Sequence, residues 1–245
     1  MLGTVTALRR YPVKSMLGED VDASDVTFTG LARDRRLAVL SRTTGKVASA
    51  KMPRLWRDLL TLSAAADDSS ANGAVRITLP GGKTVWSDDA DVDAVLSDLL
   101  NQPVTLTATP PPGTFVDFAP LHLLTTSTLD RIAELSPYRR ADLERYRPNI
   151  VVRTSAPGFT ENDWPERDLR IGNDLVLRVI IRTPRCAVPT LAHGTRPRNP
   201  DALRVLARHN RVEPADALDP EPCAGVYAEV LESGHIRIGD AVRLA

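Results

Sequence analysis

Residues 178–190 read RVIIRTPRCAVPT and form the most informative segment of the chain. The apolar run from Val179 to Ile181 predicts a buried strand, and the prolines that follow it cannot pair in a ladder. We therefore expect Cys186 on a loop at the end of a strand. Arg185 precedes it, and a neighbouring cation favours the thiolate, which is both a nucleophile and a soft metal ligand. Free cysteines are commonly small buried apolar side chains, so that alternative stays open at this point.

The composition is that of a globular protein and excludes several functional classes. The 245 residues are 42% apolar and 25% charged, and the formal net charge is zero. A neutral chain does not favour wholesale binding to nucleic acid or to an anionic membrane. The N-terminus lacks the apolar core of a signal peptide, and no apolar stretch approaches the roughly 20 residues that span a bilayer. We therefore expect a cytoplasmic protein with no nucleic-acid or membrane partner.

Many short apolar runs separated by turn residues predict a mainly β (α+β) fold of the barrel or sandwich type. Helical spacing of apolar residues predicts three peripheral helices, at about 91–100, 128–135 and 200–209. Ser127 is the expected N-cap of the second. The Pro-rich stretch Thr109–Gly113 is the best linker candidate. We therefore predict two domains, residues 1–112 and 113–245.

Three other segments contain polar side chains suited to an anionic or flat ligand. Lys14 and Ser15 combine a point charge with a hydroxyl donor. Asp34 lies between arginines and could hold one guanidinium in place. Arg147 and Asn149 come just before a predicted strand, where forked polar groups suit a flat, hydrogen-bonding ligand. Each segment also has a purely structural interpretation: a solvated loop, a surface ion-pair cluster and a capped strand end, respectively.

Two other kinds of site receive weak support. A zinc site could combine Cys186 with His193, His209 and Cys223, but no two of these have the short paired spacing of zinc ligands. A Cys–His hydrolase could use His193 or His122 as its base. The sequence has no dinucleotide-binding glycine fingerprint and no Walker loop, so those nucleotide sites are not expected.

A series of short motifs runs through the chain in a single order. They are Tyr11-Pro12-Val13-Lys14-Ser15, Gly30-Leu31, Arg33-Asp34-Arg35, Arg147-Pro148-Asn149-Ile150, Asp163-Trp164, Ile171-Gly172, Arg185-Cys186, Gly225-Val226-Tyr227 and Ile236-Arg237-Ile238-Gly239-Asp240. In this order the chain resembles the MOSC family, named after the C-terminal domain of molybdenum cofactor sulfurases. Its layout is similar to that of the mitochondrial amidoxime-reducing component and its bacterial relatives.

The resemblance implies a fold, a cofactor and a set of contacts. The fold is an N-terminal MOSC-type β-barrel domain followed by a barrel-like MOSC domain with peripheral helices. The cofactor is the molybdenum cofactor (Mo-molybdopterin), with Cys186 as metal ligand and catalytic residue; pyridoxal phosphate binding is a further family-level implication. The implied cofactor contacts are Lys14, Ser15, Arg35, Thr125, Arg147, Asn149 and Arg185. Cys223 has no implied role, and we expect it to be structural.

The implied activity is the reduction of small N-hydroxylated substrates such as hydroxylamines and amidoximes. Two cysteines cannot supply the four thiolates of a Cys-ligated iron–sulfur cluster, so we expect electrons from a separate iron–sulfur, flavin or haem protein. A carrier of the cofactor, or of its sulfurated form, without turnover is the alternative. Two departures bear on the substrate: Pro184 stands where the family often has Ser, and Leu191–Thr195 replaces its usual acidic segment.

Overall fold

The computed structural model describes residues 1–69, 73–108 and 118–245. In chain order the described strands are β1 (Gly3–Arg10), β2 (Glu19–Val21), β3 (Ala23–Thr27), β4 (Gly30–Leu31), β5 (Ala38–Ser41), β6 (Ser63–Ala66), β7 (Val75–Thr78), β8 (Thr84–Trp86), β9 (Val104–Thr107), β10 (Leu121–Thr125), β11 (Ile150–Thr154), β12 (Asp168–Ile171), β13 (Leu175–Pro184), β14 (Arg211–Val212), β15 (Glu221–Glu232), β16 (Gly234–Arg237) and β17 (Ala241–Leu244). The described helices are α1 (Pro53–Trp56), α2 (Val92–Leu100), α3 (Thr126–Leu135), α4 (Leu143–Tyr146) and α5 (Asp201–His209).

Seven of the strands form a closed barrel, which confirms the predicted mainly β fold class. Their order is β10–β11–β1–β17–β12–β13–β15, and β15 pairs with β10 to close the sheet. Closure leaves these strands without a free edge. The barrel interior is filled by fully buried aliphatic side chains, including Leu8, Leu123, Ile150, Leu177 and Val226.

The first strand of the chain is part of this barrel. β1 pairs antiparallel with β11 and with β17, and β3 pairs with β16. The N-terminal segment therefore supplies structure to the barrel formed by the second half of the chain. The predicted linker Thr109–Gly113 and the predicted division between residues 112 and 113 lie outside the described residues, so the two-domain division stays a prediction.

A second hydrophobic core lies under the remaining N-terminal strands. β5 pairs with β9, and β6, β7 and β8 form a small antiparallel sheet. Leu96 of α2 packs in this core together with Val39 and Ile77. Val13 and Met16 are buried in the same core, and they flank Lys14 and Ser15 in the sequence. The loop that carries those two polar residues is therefore anchored on both sides.

The long helices match the predicted segments, with one difference at an N-terminus. α3 begins at Thr126, and its N-cap is Thr125 rather than the expected Ser127. The Thr125 hydroxyl accepts a hydrogen bond of 3.1 Å from the backbone N–H of Thr128. Within the described parts of the chain, no helix has both the length and the apolar character needed to cross a bilayer.

Candidate functional site

One cleft brings together residues from the N-terminal and the C-terminal half of the chain. Its described lining includes seven of the predicted site residues: Lys14, Ser15, Arg35, Arg147, Asn149, Arg185 and Cys186. Lys51, which the sequence analysis did not single out, lines it as well. Five of the described lining residues are lysine or arginine and none is acidic. A concentration of one charge in a cleft attracts a ligand of the opposite charge, so this cleft is suited to an anion.

The two cysteines lie in opposite environments. Cys186 is exposed on the loop that follows β13, where the proline pattern predicts it. Cys223 is fully buried on β15, and its thiol donates weakly to the carbonyl of Val212 at 3.8 Å. Burial raises the pKa of the Cys223 thiol to about 12. Only the Cys186 thiol is therefore both accessible and next to the cationic cleft.

A buried arginine holds the loop that follows Cys186. Arg145 of α4 is 2% exposed and pairs with Asp142 at 3.0 Å. Its guanidinium also donates to the carbonyls of Pro189 (3.2 Å), Leu191 (2.8 Å) and Pro197 (2.7 Å). Charged donors make the stronger hydrogen bonds of a protein, so this group fixes the loop to α4. Sequence reasoning missed Arg145, because its partners are backbone carbonyls that carry no residue signature.

An aromatic ring supports two of the cleft arginines. The Arg147 guanidinium lies 4.2 Å from the centre of the Tyr11 ring, and that of Arg35 lies 5.3 Å from it. Both distances are within the range of cation–π attraction. The Tyr11 hydroxyl donates to the carbonyl of Pro148 at 3.1 Å, and burial raises the pKa of this phenol. Tyr11 is therefore a neutral platform that orients both guanidinium groups.

Three cleft residues adopt the left-handed backbone conformation although none is glycine. The φ angles are 67° at Ser15, 48° at Arg35 and 55° at Arg147. Such residues are held at a cost of about 1–3 kcal/mol each, and they cluster at functional sites. The sequence gives no sign of this conformation, since neither Ser nor Arg favours the left-handed region.

Asn149 holds its neighbours in position from below the cleft surface. The residue is fully buried. Its Oδ1 accepts hydrogen bonds from Arg35 Nη1 at 3.3 Å and from the backbone N–H of His122 at 3.2 Å, while its Nδ2 donates to the Arg9 carbonyl at 3.2 Å. Asp34 pairs with the same Arg35 guanidinium and its side chain is only 3% exposed, so the surface-cluster interpretation of Asp34 is wrong. These contacts make Asn149 and Asp34 residues that position Arg35.

Comparison with known proteins identifies the family. The model of the MOSC domain matches residues 110–243, more than half of the chain, and the model of the MOSC N-terminal beta barrel domain matches residues 2–110. The chain belongs to the MOSC domain family. The resemblance noted from the short motifs is thereby confirmed.

The relatives of this MOSC protein include mitochondrial proteins. Human mitochondrial amidoxime-reducing component 1 is 28% identical over 284 residues, which cover 99% of this chain and 83% of the human protein. Bovine mitochondrial amidoxime reducing component 2 is 25% identical, over 98% of this chain and 83% of its own length. Among solved structures, the YUAD protein from Bacillus subtilis aligns with a TM-score of 0.50 at 13% identity, over 99% of this chain and 94% of that protein. This last similarity extends to the fold alone.

Thr125 is the one predicted contact that lies away from the cleft of the MOSC protein. It is fully buried, and it caps α3. Its hydroxyl donates to the carboxylate of Glu161 at 2.6 Å, and Thr128 donates to the same oxygen at 2.7 Å. This corrects the placement expected for Thr125, because its hydroxyl is already engaged in capping and in holding Glu161.

The rival sites considered from the sequence have no geometric basis in the described residues. These residues contain no cluster of three or more His, Cys, Asp or Glu side chains that could hold a metal ion. Both ring nitrogens of His122 face backbone carbonyls at 3.3 Å, and Nδ1 of His193 faces the Leu191 carbonyl at 3.0 Å. Within the described parts of the chain neither histidine hydrogen-bonds Cys186, so the hydrolase arrangement is not formed.

The burial of His122 should make the protein less stable to unfolding in acid. Gly225 passes so close that a Cβ there would lie 2.2 Å from His122 Nε2. Burial, with a smaller effect of Arg185, lowers the pKa of His122 to about 3. An unfolded chain takes up this proton near pH 6.5, so the stabilisation is complete above that pH and is lost as the pH falls towards 3. The difference between these two pKa values corresponds to about 5 kcal/mol.

We expect His122→Gln to flatten this dependence. The measurement is the free energy of unfolding in urea at several pH values between 4 and 7. His209→Gln is the matched control, since His209 is exposed at the end of α5. Equal slopes for wild type and His122→Gln would contradict the prediction.

Proposed function

We propose that this MOSC protein is a molybdenum cofactor-dependent oxidoreductase that reduces small N-hydroxylated substrates, including hydroxylamines and amidoximes. The observation that carries the proposal is the cleft itself: five cationic side chains and no acidic one among its described lining, beside an exposed thiol. A pterin phosphate supplies the anion that such a cleft requires, and a thiolate is a suitable ligand for a soft metal. Similarity to proteins named amidoxime-reducing components, over nearly the whole chain, supports the type of reaction.

The donor set fits the cofactor. Arg185 donates from Nη2 to the carbonyl of Tyr146 at 2.8 Å, but its buried Nε has no hydrogen-bond partner among the described residues. A buried donor without a partner costs about 1–3 kcal/mol, which a ligand acceptor would recover. We assign Lys14, Ser15 and the Arg185 guanidinium to the phosphate and pterin acceptors.

The remaining roles follow from the positions of the side chains. We assign Cys186 as the metal ligand, and Arg35 and Arg147 as pterin contacts that Tyr11 and Asn149 orient. When bound, the cofactor supplies the two-electron redox chemistry. The protein residues hold it, supply positive charge and leave the side next to Cys186 open to substrate. Replacing N–OH by N–H consumes two electrons and two protons and releases water.

We assign the supply of electrons to a separate protein. The chain has two cysteines, one of them fully buried, and a Cys-ligated iron–sulfur cluster takes four thiolates. An iron–sulfur, flavin or haem protein is a suitable one-electron donor. Its electrons must reach the open side of the cleft, where Cys186 is exposed.

The proposal is tested by analysing protein made in a host that synthesises the molybdenum cofactor. We expect molybdenum by elemental analysis and pterin by fluorescence in stoichiometric amounts. With a chemical electron donor, the loaded protein should then convert an amidoxime into the amidine. Protein that retains neither molybdenum nor pterin would overturn cofactor binding. Loaded protein that shows no turnover would overturn the oxidoreductase assignment in favour of a carrier.

A further inference from the structure

A groove continues the cleft on the far side of Pro184. Lys51, Pro184 and Tyr227 line both the cleft and the groove. The groove and the cleft enclose similar amounts of empty space, about 910 and 810 Å³ respectively, each counted together with the part open to solvent. A small molecule lying in the groove would therefore reach the side of the cleft where Cys186 is exposed.

The wall of the groove is apolar and aromatic. Phe118 and Tyr227 stack with ring centres 5.8 Å apart and an angle of 28° between the rings. Tyr227 in turn lies 5.5 Å from the ring of His122 in the cleft. Leu218 and Ile181 complete the apolar lining. Phe118 is 60% exposed and Leu218 is 49% exposed, so a large apolar surface faces the groove and solvent. A flat apolar molecule would cover this surface.

The rim of the groove carries the opposite charge to the cleft. Asp219 and Glu221 line it and are exposed. Neither carboxylate forms an ion pair with any residue that the structure describes. The described lining of the groove holds these two acidic residues and one cation, Lys51, which it shares with the cleft, whereas the cleft is lined by five cations and no acidic residue. The two adjoining cavities therefore differ in the sign of their excess charge. An anionic ligand is favoured in the cleft, and a cationic group is favoured at the groove.

The segment that carries the acidic rim is held in place. Arg182 of β13 donates from Nη1 to the carbonyl of Glu213 at 3.0 Å, and its backbone N–H donates to the carbonyl of Pro214 at 2.9 Å. β14 pairs with β15 through Val212 and Glu221. The rim is therefore part of the folded framework, as a preformed binding site requires.

We propose that the groove is the substrate subsite, and that it selects a flat aromatic molecule carrying a positively charged substituent. Phe118 and Tyr227 contact the ring, and Asp219 and Glu221 attract the charge. The N-hydroxylated end then points towards the cleft. This inference rests on the proposed function for the identity of the reacting group, but the preference for a cationic aromatic molecule is a property of the groove alone.

The first test measures binding without turnover. Phenethylammonium and phenylacetate, two ring compounds of similar size and opposite charge, are titrated into cofactor-loaded protein and followed by ligand-observed NMR. The double variant Asp219→Asn, Glu221→Gln should weaken phenethylammonium binding by roughly three- to tenfold and leave phenylacetate binding equal or stronger. Phe118→Ala should weaken the binding of both compounds by roughly threefold or more.

Matched controls separate the groove from general charge effects. The double variant Asp130→Asn, Glu134→Gln removes two acidic groups from α3 and should leave both affinities unchanged. Asp219, Glu221 and Phe118 are exposed, so we expect the variants to keep the fold, and thermal unfolding checks this. Phenethylammonium affinity that is the same in wild type and in the groove double variant would overturn the proposal.

The second test uses turnover with a chemical electron donor. An N-hydroxylated benzamidine with a 4-aminomethyl substituent is compared with its 4-carboxy counterpart. We expect a higher kcat/KM for the cationic compound, and a ratio that falls roughly three- to tenfold in the groove double variant. If no N-hydroxylated compound is reduced, the proposed function fails while the binding test still decides the groove. If both compounds are reduced with a ratio that the variant does not change, the groove proposal alone fails.

Discussion

Cys186→Ser is expected to abolish reductase turnover and to lower the molybdenum content of the purified protein. Cys186 is the exposed thiol beside the cationic cleft, whereas Cys223 is fully buried. Serine is a far weaker ligand for a soft metal than a thiolate. Changes to groups that only support a metal ligand already cost about 10- to 100-fold, so loss of the ligand itself should reduce kcat by at least about 100-fold.

The control for this variant is Cys223→Ser, which makes the same chemical change at the other thiol. We expect its activity per bound molybdenum to equal that of the wild type, although it loses some stability because a hydroxyl replaces a buried apolar thiol. Reductase rates with a chemical electron donor, together with elemental analysis, compare the two variants. Full activity in Cys186→Ser, or an inactive Cys223→Ser protein that is folded and loaded, would show that the wrong thiol was assigned.

Arg147→Gln should produce the second large effect, a loss of cofactor occupancy with the fold retained. The Arg147 guanidinium lies over the Tyr11 ring at 4.2 Å and lines the cleft. Hydrogen bonds to charged groups contribute about 1.5–3 kcal/mol, which corresponds to a roughly 10- to 100-fold weaker affinity. Pterin fluorescence and molybdenum content after purification measure the occupancy.

Arg139→Gln is a closely matched control. Arg139 is also an arginine with a left-handed backbone, at φ 48°, but it is exposed and does not line the cleft. Both substitutions thus remove a guanidinium from a strained backbone position, so an effect of backbone strain would appear in both. Arg147→Lys should recover part of the occupancy, because it keeps the charge without the planar fork. Equal occupancy in Arg147→Gln and Arg139→Gln would rule out the contact role of Arg147.

Local patterns predicted the parts of the fold and site that depend on neighbouring residues. Apolar runs and prolines correctly predicted β13 and the Cys186 loop, because strand burial and ladder termination act within a few residues. The presence of Asp34 between arginines correctly indicated a fixed guanidinium, since the pair is adjacent in sequence. The family motifs indicated most of the residues that the structure brings together in the cleft.

What sequence reasoning missed depends on contacts between distant parts of the chain. Arg145 holds the Cys186 loop through backbone carbonyls about 50 residues away, and Tyr11 supports Arg147 across a still longer separation. Thr125 was expected at the cofactor because its burial against Glu161 could not be read from its neighbours. The left-handed backbone at Ser15 is likewise imposed by the packing of its surroundings.

Because β1 lies between β11 and β17, the second half of the chain cannot form the complete barrel without the first. A fragment that starts after the predicted linker would lack β1, one of the seven barrel strands. The edges of β11 and β17 that pair with β1 would then be open to solvent. Such edges recruit other chains, so the fragment would tend to self-associate rather than persist as a soluble module. The two halves are interlocked, since the barrel that carries Cys186 is completed by a strand from the N-terminal half.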